Sequence, residues 1–280
     1  MLDWNKTKTI FIVVFSILNI FLYSLYVKQR TEAQNVPLIG QTSIEEVLKQ
    51  ENITYSIPQN VKTNSSNISG RIISFTKEQL EGMKDQMMIL TEGNTKIEAE
   101  LNTPVTVLNE EGKYIFDSFL MDYVYGGNEY SLWEIDKEAG KALFFQQAIN
   151  EPIYYSPNAM LIVEWNEEGQ VTHYSQKMLE DISDSDFNQK ELLTPLEAVG
   201  TLATRGYLKQ DSKVKEVTLG YSTLVQLTET QVFAPTWNVR VELKDGQIEN
   251  YFINAVEGKV IDFQLDQPPE VDEEDEAEDE

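Results

Sequence analysis

From residue 10 to residue 27 the chain reads IFIVVFSILNIFLYSLYV, 18 residues without a charge. Coiled as a helix, a run of that length covers about 27 Å, close to the hydrocarbon thickness of a bilayer. A helix also lets a single segment satisfy its backbone polar groups in lipid. Lys6 and Lys8 precede the run, Lys28 and Arg30 follow it, and Tyr23 and Tyr26 fall near one end, where amphipathic rings prefer the interface. The pattern predicts one transmembrane helix. The alternative is a cleaved signal peptide, whose apolar core is about 7–15 residues and ends at a small-x-small site. Here the run is longer, and the nearest such site, Thr31-Glu32-Ala33, lies beyond two basic residues. Ser16, Asn19, Tyr23 and Tyr26 are spaced 3-4-3 and so share one face. An amide at the depth of Asn19 gains about 0.6 kcal/mol, sometimes 1–2, from a partner helix; the other reading is that it bonds its own helix. This face is the candidate interface with partner helices.

Beyond a polar linker over 28–41, broken by Pro37 and Gly40, the pattern alternates between helical and strand periods. Ser43 with Glu46 three residues on is a capping-box signature for a short helix. Residues 53–57 and 71–75 read as strands, with a polar loop over 60–70 between them. Thr76 is expected to cap a helix reaching about Leu90, with Leu80, Met83, Met87 and Leu90 as its buried stripe. Strands are expected over 114–125, 130–135, 142–149, 159–166 and 170–177, separated by turn residues. Thr194-Pro195 opens a helix with proline at its first position and Leu196, Val199, Leu202 and Ala203 inward. Four strands follow over 214–227, 236–243, 248–255 and 260–265. Glu167–Tyr174 and Lys244–Tyr251 share acidic-Gly-Gln-aliphatic-x-x-Tyr at a spacing of 77 residues, from a repeated module or from two like hairpins.

The predicted class is α+β: one N-terminal transmembrane helix, then two modules of helices packed on antiparallel meanders. The divisions are a 1–9 head, the 10–27 span, the 28–41 linker, modules over 42–182 and 183–266, and an acidic tail over 267–280. With 41% hydrophobic residues and about 250 positions outside the span, each module has material for a core.

Charge narrows the partners. The net charge is −25, and the ten acidic residues between Asp266 and Glu280 account for 10 of those charges. That tail has too little apolar surface to fold, so disorder is expected. The remainder is still acidic enough to repel polyanions, which argues against nucleic acid and anionic lipid headgroups. Lys and Arg tie across the span, so they do not decide orientation. The nine-residue head fits easily inside the cell, which places it in the cytoplasm and the bulk outside, as a single-pass plasma-membrane protein. The absence of cysteine is compatible with an exported bacterial domain.

Catalytic motifs are absent from the sequence. There is no cysteine, no zincin helix, no nucleophile elbow, no P-loop and no dinucleotide fingerprint. His173 is the one histidine and falls in a predicted hairpin strand, where a surface role is the ordinary one. Asp181, Asp184 and Asp186 lack the glycine and terminal glutamate of a calcium loop. No catalytic residue, metal, cofactor or small-molecule ligand is expected.

Two stretches carry a resemblance. Asp3-Trp-Asn-Lys-Thr-Lys-Thr-Ile-Phe-Ile12, running into Leu18-Asn19-Ile20-Phe21, resembles the start of the YycI (WalI) proteins of low-GC Gram-positive bacteria. Pro235-Thr-Trp237-Asn-Val-Arg-Val, Tyr251-Phe-Ile-Asn-Ala255 and Glu257-Gly-Lys-Val260 resemble their ending. The resemblance implies a non-enzymatic regulator with a YycH-like fold. It would sit in the membrane with a YycH-type partner and the sensor histidine kinase of the essential WalRK (YycFG) cell-wall two-component system, tuning the kinase through transmembrane helix contacts. The ending also resembles PepSY-type strands. That leaves an anchored inhibitor or binding module for an extracellular protease as the alternative, with a cell-wall enzyme using distant carboxylates as a third reading.

Overall fold

The computed structural model describes residues 8, 11–24, 43–57, 61–83, 85–184, 189–226 and 229–263. The fold is mixed α+β, one large sheet with few helices. Residues 11–24 are helical (α1) and their side chains are exposed. The rest of the expected span lies outside the described residues, as do the linker and the acidic tail. Among the described residues no helix is long and apolar enough to cross a membrane.

Three other helices start as their sequences dictate. In α2 (Ile44–Gln50), α3 (Lys77–Leu80) and α5 (Pro195–Thr204), Ser43, Thr76 and Thr194 each accept the N–H of the third helical residue. Glu46, Gln79 and Glu197 reach back to the cap, satisfying two otherwise orphaned donors. The helix expected to reach Leu90 ends at Leu80. Gly82 at φ +131° and Asp85 at φ +59° turn the chain, and residues 86–91 become a strand. There Met88 and Leu90 pack inward while Met87 and Ile89 are each 54% exposed, a period of two instead of 3.6. The reverse correction applies to 114–125, expected as a strand. Asp117–Tyr123 is a helix (α4), and the buried positions Phe116, Phe119, Leu120 and Val124 follow the helical period. Its C-terminal carbonyls are satisfied by side chains. Tyr123 O accepts from Gln86 Nε2 (2.9 Å) and the Tyr174 hydroxyl (2.8 Å), and Tyr125 O from Gln176 Nε2 (2.6 Å).

The strands are β1 (Thr54–Tyr55), β2 (Asn64–Ser65), β3 (Ile68–Ile72), β4 (Gln86–Thr91), β5 (Lys96–Thr106), β6 (Tyr130–Asp136), β7 (Lys141–Ala148) and β8 (Glu151–Tyr154). They continue as β9 (Met160–Trp165), β10 (Gln170–Gln176), β11 (Leu179–Asp184), β12 (Lys190–Glu191), β13 (Lys213–Gln226), β14 (Thr230–Glu242), β15 (Ile248–Asn254) and β16 (Val260–Ile261). The strand expected over 71–75 thus sits earlier, at β3, and the expected division at residue 182 falls inside β11, paired to β3.

An antiparallel half runs β6-β7-β9-β10-β5-β4. Its inner face carries α4 and a core that includes Ile97, Phe119, Phe144, Leu161 and Tyr174. The other half centres on the β13–β14–β15 meander, with α2 and α5 on its inner face around Trp237, Leu48, Val199 and Leu202. Leu48 and Ile53 share that core with residues 192–255, so it is built from both ends of the described α+β part.

The likeness between 167–174 and 244–251 lies in their turns. Asn166 N–H bonds Gln170 O and Gly169 N–H bonds Asn166 O; Leu243, Gln247 and Gly246 repeat the pattern, and so do Asn109, Lys113 and Gly112. Each glycine has a φ of +71° to +87°, the left-handed position that closes this hairpin class. Shared turn chemistry accounts for the likeness.

Candidate functional site

On α1, Ser16, Asn19 and Tyr23 are exposed; Tyr26 lies outside the described residues. Asn19 Nδ2 donates to Phe15 O at 2.9 Å and Ser24 Oγ to Phe21 O at 2.7 Å. Both polar groups thus find an acceptor within their own helix. An asparagine amide has two N–H donors and an acceptor oxygen. The bond to Phe15 O uses one of those donors.

The second constellation, which sequence reasoning missed, is the seam between the halves. Strand β8 pairs antiparallel with β7 (Gln147↔Pro152) and parallel with β13 (Tyr221↔Ile153, Ser222↔Tyr154). Gly220 lies where β13 passes β8. A Cβ there would stand 2.6 Å from Pro152 O and against the Tyr154 ring, so only glycine permits this approach.

On the outer face an aromatic cluster closes the seam. Phe252 of β15 meets the rings of Tyr154 at 5.0 Å, Tyr155 at 5.6 Å and Trp133 at 6.1 Å, and Phe263 at 4.8 Å. Trp133 Nε1 donates to the Tyr155 hydroxyl at 3.0 Å, and the Tyr154 hydroxyl bonds Thr218 Oγ1 at 3.2 Å. Burial pushes both tyrosine hydroxyls above their ordinary titration range, so they stay neutral. A sequence signal was present in β7, where Ala142-Leu143-Phe144-Phe145 is an unbroken apolar run in place of alternation, the mark of a strand covered on both faces; in β14 residues 233–239 are all buried, Thr236 and Asn238 among them.

The acidic and histidine candidates read from the sequence make local contacts at the surface. His173 Nε2 lies 3.1 Å from Glu98 Oε2, and Lys96 reaches the same carboxylate at 2.6 Å. Asp181 holds Arg71 at 2.8 Å and Asp184 accepts Ser66 Oγ at 2.8 Å, while Asp186 lies outside the described residues. Among the described residues no group of three or more His, Asp or Glu is arranged to hold a metal.

Three solved structures are similar in part. An uncharacterized protein from Eubacterium rectale ATCC 33656 aligns at 13% identity and TM-score 0.46, over 80% of this chain and 99% of that one. The Bacillus megaterium YpeB C-terminal domain aligns at 15% and 0.40, over 79% of this chain and 95% of that one. YycH from Bacillus subtilis aligns at 14% and 0.36, over 70% of this chain and 55% of that one. No curated protein matches. The YycI protein family model matches residues 33–256. That match takes in the elements from α2 to β15, and the chain belongs to the YycI family, a regulatory protein family and not an enzyme family.

Proposed function

We propose that this protein is a single-pass regulator of the plasma membrane, with its head in the cytoplasm and its α+β part outside. It adjusts the sensor histidine kinase of the YycFG cell-wall two-component system together with a YycH-type protein, and does so by contacts between transmembrane helices. Family membership over residues 33–256 is the observation that carries this reading. The uncharged 10–27 run supplies the span, and Ser16, Asn19, Tyr23 and Tyr26 supply a polar stripe along it, with Ser24 the one polar residue outside the stripe. In hydrocarbon such a stripe is best covered by another helix, because the spare donor and acceptor of Asn19 have no water to bond.

Asn19→Leu removes the amide and keeps the helix. At about 0.6 kcal/mol, sometimes 1–2, membrane two-hybrid signal with the kinase or the YycH-type protein should fall about threefold to thirtyfold, with the exterior part still folded. Unchanged association would sink the role given to this face.

A further inference from the structure

Between the outer face of the β13–β14–β15 meander and β6 lies a cleft of about 450 Å³, within the size range of small-ligand sites. Two cross-strand rows floor it: Glu216, Arg240 and Asn250 are paired across β13, β14 and β15, and Thr218 and Asn238 form the next row.

Arg240 makes no ion pair among the described residues, although Glu216 stands directly opposite on β13. Arg71, by contrast, holds two carboxylates, Glu180 at 2.9 Å and Asp181 at 2.8 Å. In so acidic a chain, a cleft-lining guanidinium left without a carboxylate is poised for one from outside.

Next to it, Asn238 is 4% exposed and its Oδ1 has no hydrogen-bond donor, a cost that native structures normally avoid. The wall supplies the opposite charge. Glu134 of β6 and Glu151 of β8 line the cleft with Glu216. Glu151 is half-buried, and burial holds its carboxyl above the ordinary range, against the pull of Lys62.

Strand β6 contributes four consecutive residues, Ser131 to Glu134, to the lining. Successive side chains point to opposite faces, so it is the edge of β6 that faces the cleft. That edge has no strand partner among the described residues, because β6 pairs with β7 on its other side. An open edge offers backbone donors and acceptors to an extended ligand.

We propose that this cleft binds a short zwitterionic peptide of two or three residues, extended along β6, with its carboxylate on Arg240 and its ammonium among Glu134, Glu151 and Glu216. The site stands apart from the helix contacts of the regulator reading and needs none of them.

The test is calorimetry on the full chain in detergent micelles with trialanine, N-acetyl-trialanine and trialanine amide. Trialanine binds, and blocking either end weakens binding by about tenfold or more, the loss expected for one charge-assisted contact. Arg240→Gln erases the preference for the free carboxylate while leaving the preference for the free amine. The proposal is overturned if trialanine gives no binding, if the three peptides bind equally, or if Arg240→Gln keeps the carboxylate preference. A longer, doubly blocked peptide that binds more tightly than trialanine also overturns it, since recognition would then belong to a strand of a folded partner. The blocked peptides decide the matter on the native chain even if the variant does not fold.

Discussion

Gly220→Ala tests the seam by adding a single methyl group. Gly220 sits opposite Thr236 on β14 and one residue before the Tyr221↔Ile153 pair with β8. The new Cβ would lie 2.6 Å from Pro152 O and against the Tyr154 ring. Neither neighbour can withdraw easily. Tyr154 is fully buried and its hydroxyl is tied to Thr218, while Pro152 is held by its pairing with Gln147. Overpacking of this kind costs about 1–3 kcal/mol. For a folded part of roughly 220 residues, each kcal/mol lowers Tm by about 2–4 °C, so a mid-range cost of about 2 kcal/mol predicts a drop of about 4–8 °C. Because relief requires β8 to part from β13, amide exchange at Ile153 and Tyr154 should quicken more than exchange in β5 or β10. The assay is a thermal melt of the full chain by circular dichroism with hydrogen exchange on the same samples. Gly206→Ala is the control: φ is +75° there but the space is open, so any loss stays at the end of α5. A Gly220→Ala melting temperature within about 1 °C of the parent, with unchanged exchange in β8, would refute the claim that this close approach holds the halves together.

Phe252→Ala empties the centre of the aromatic cluster and should cost about 3–5 kcal/mol, read by chemical denaturation; a loss below about 1 kcal/mol would mean the rings only cover the surface. Glu151 has its folded-state pKa raised by burial. Its ionised form therefore opposes folding at neutral pH, and the penalty fades as pH falls through the raised value. Glu151→Gln should melt higher than the parent at pH 7, with the gap closing under acid; a gap that widens under acid would reverse the sign of this argument. Deleting residues 271–280, eight acids among ten positions, should leave Tm within about 1 °C, because charged side chains without apolar company bury almost nothing; a drop of several degrees would contradict that reading.

Local rules made much of the fold legible. The three caps are short-range chemistry, written as Ser43 with Glu46, Thr76 with Gln79 and Thr194 with Glu197. The hairpins at 166–170 and 243–247 were marked by Gly169 and Gly246, and the α+β class followed from the order of periods. What failed was local pattern in conflict with distant partners. Leu80, Met83, Met87 and Leu90 fit a helical stripe, but Gly82 breaks it and pairing with β5 recruits 86–91 as a strand. Phe116, Phe119, Leu120 and Val124 carried the helical period, but aromatic content masked it. Nothing local announces that Ile68 pairs with Phe233, or that Thr54 lies beside Lys213. Those contacts are fixed by the closing of the whole sheet. The seam was half visible, as the unbroken apolar run Ala142–Phe145 in β7, whose second covering face no single segment reveals, whereas Thr236 and Asn238 hide the burial of β14 on both faces. For the helix face, a period of 3.6 places Ser16, Asn19 and Tyr23 together, and the proposal that another helix covers them rests on side-chain chemistry alone.

The central claim is that the anchor's own sequence carries the regulation, and an anchor swap in the bacterium tests it most directly. Residues 10–27 are replaced by an unrelated apolar helix of equal length, and YycFG-dependent transcription is measured alongside co-purification of the kinase and the abundance of the α+β part. The account predicts that signalling control and co-purification are lost while the α+β part stays folded and abundant. Normal signalling with the foreign helix would contradict it, reduce the span to a tether, and move the regulatory contact to the large sheet.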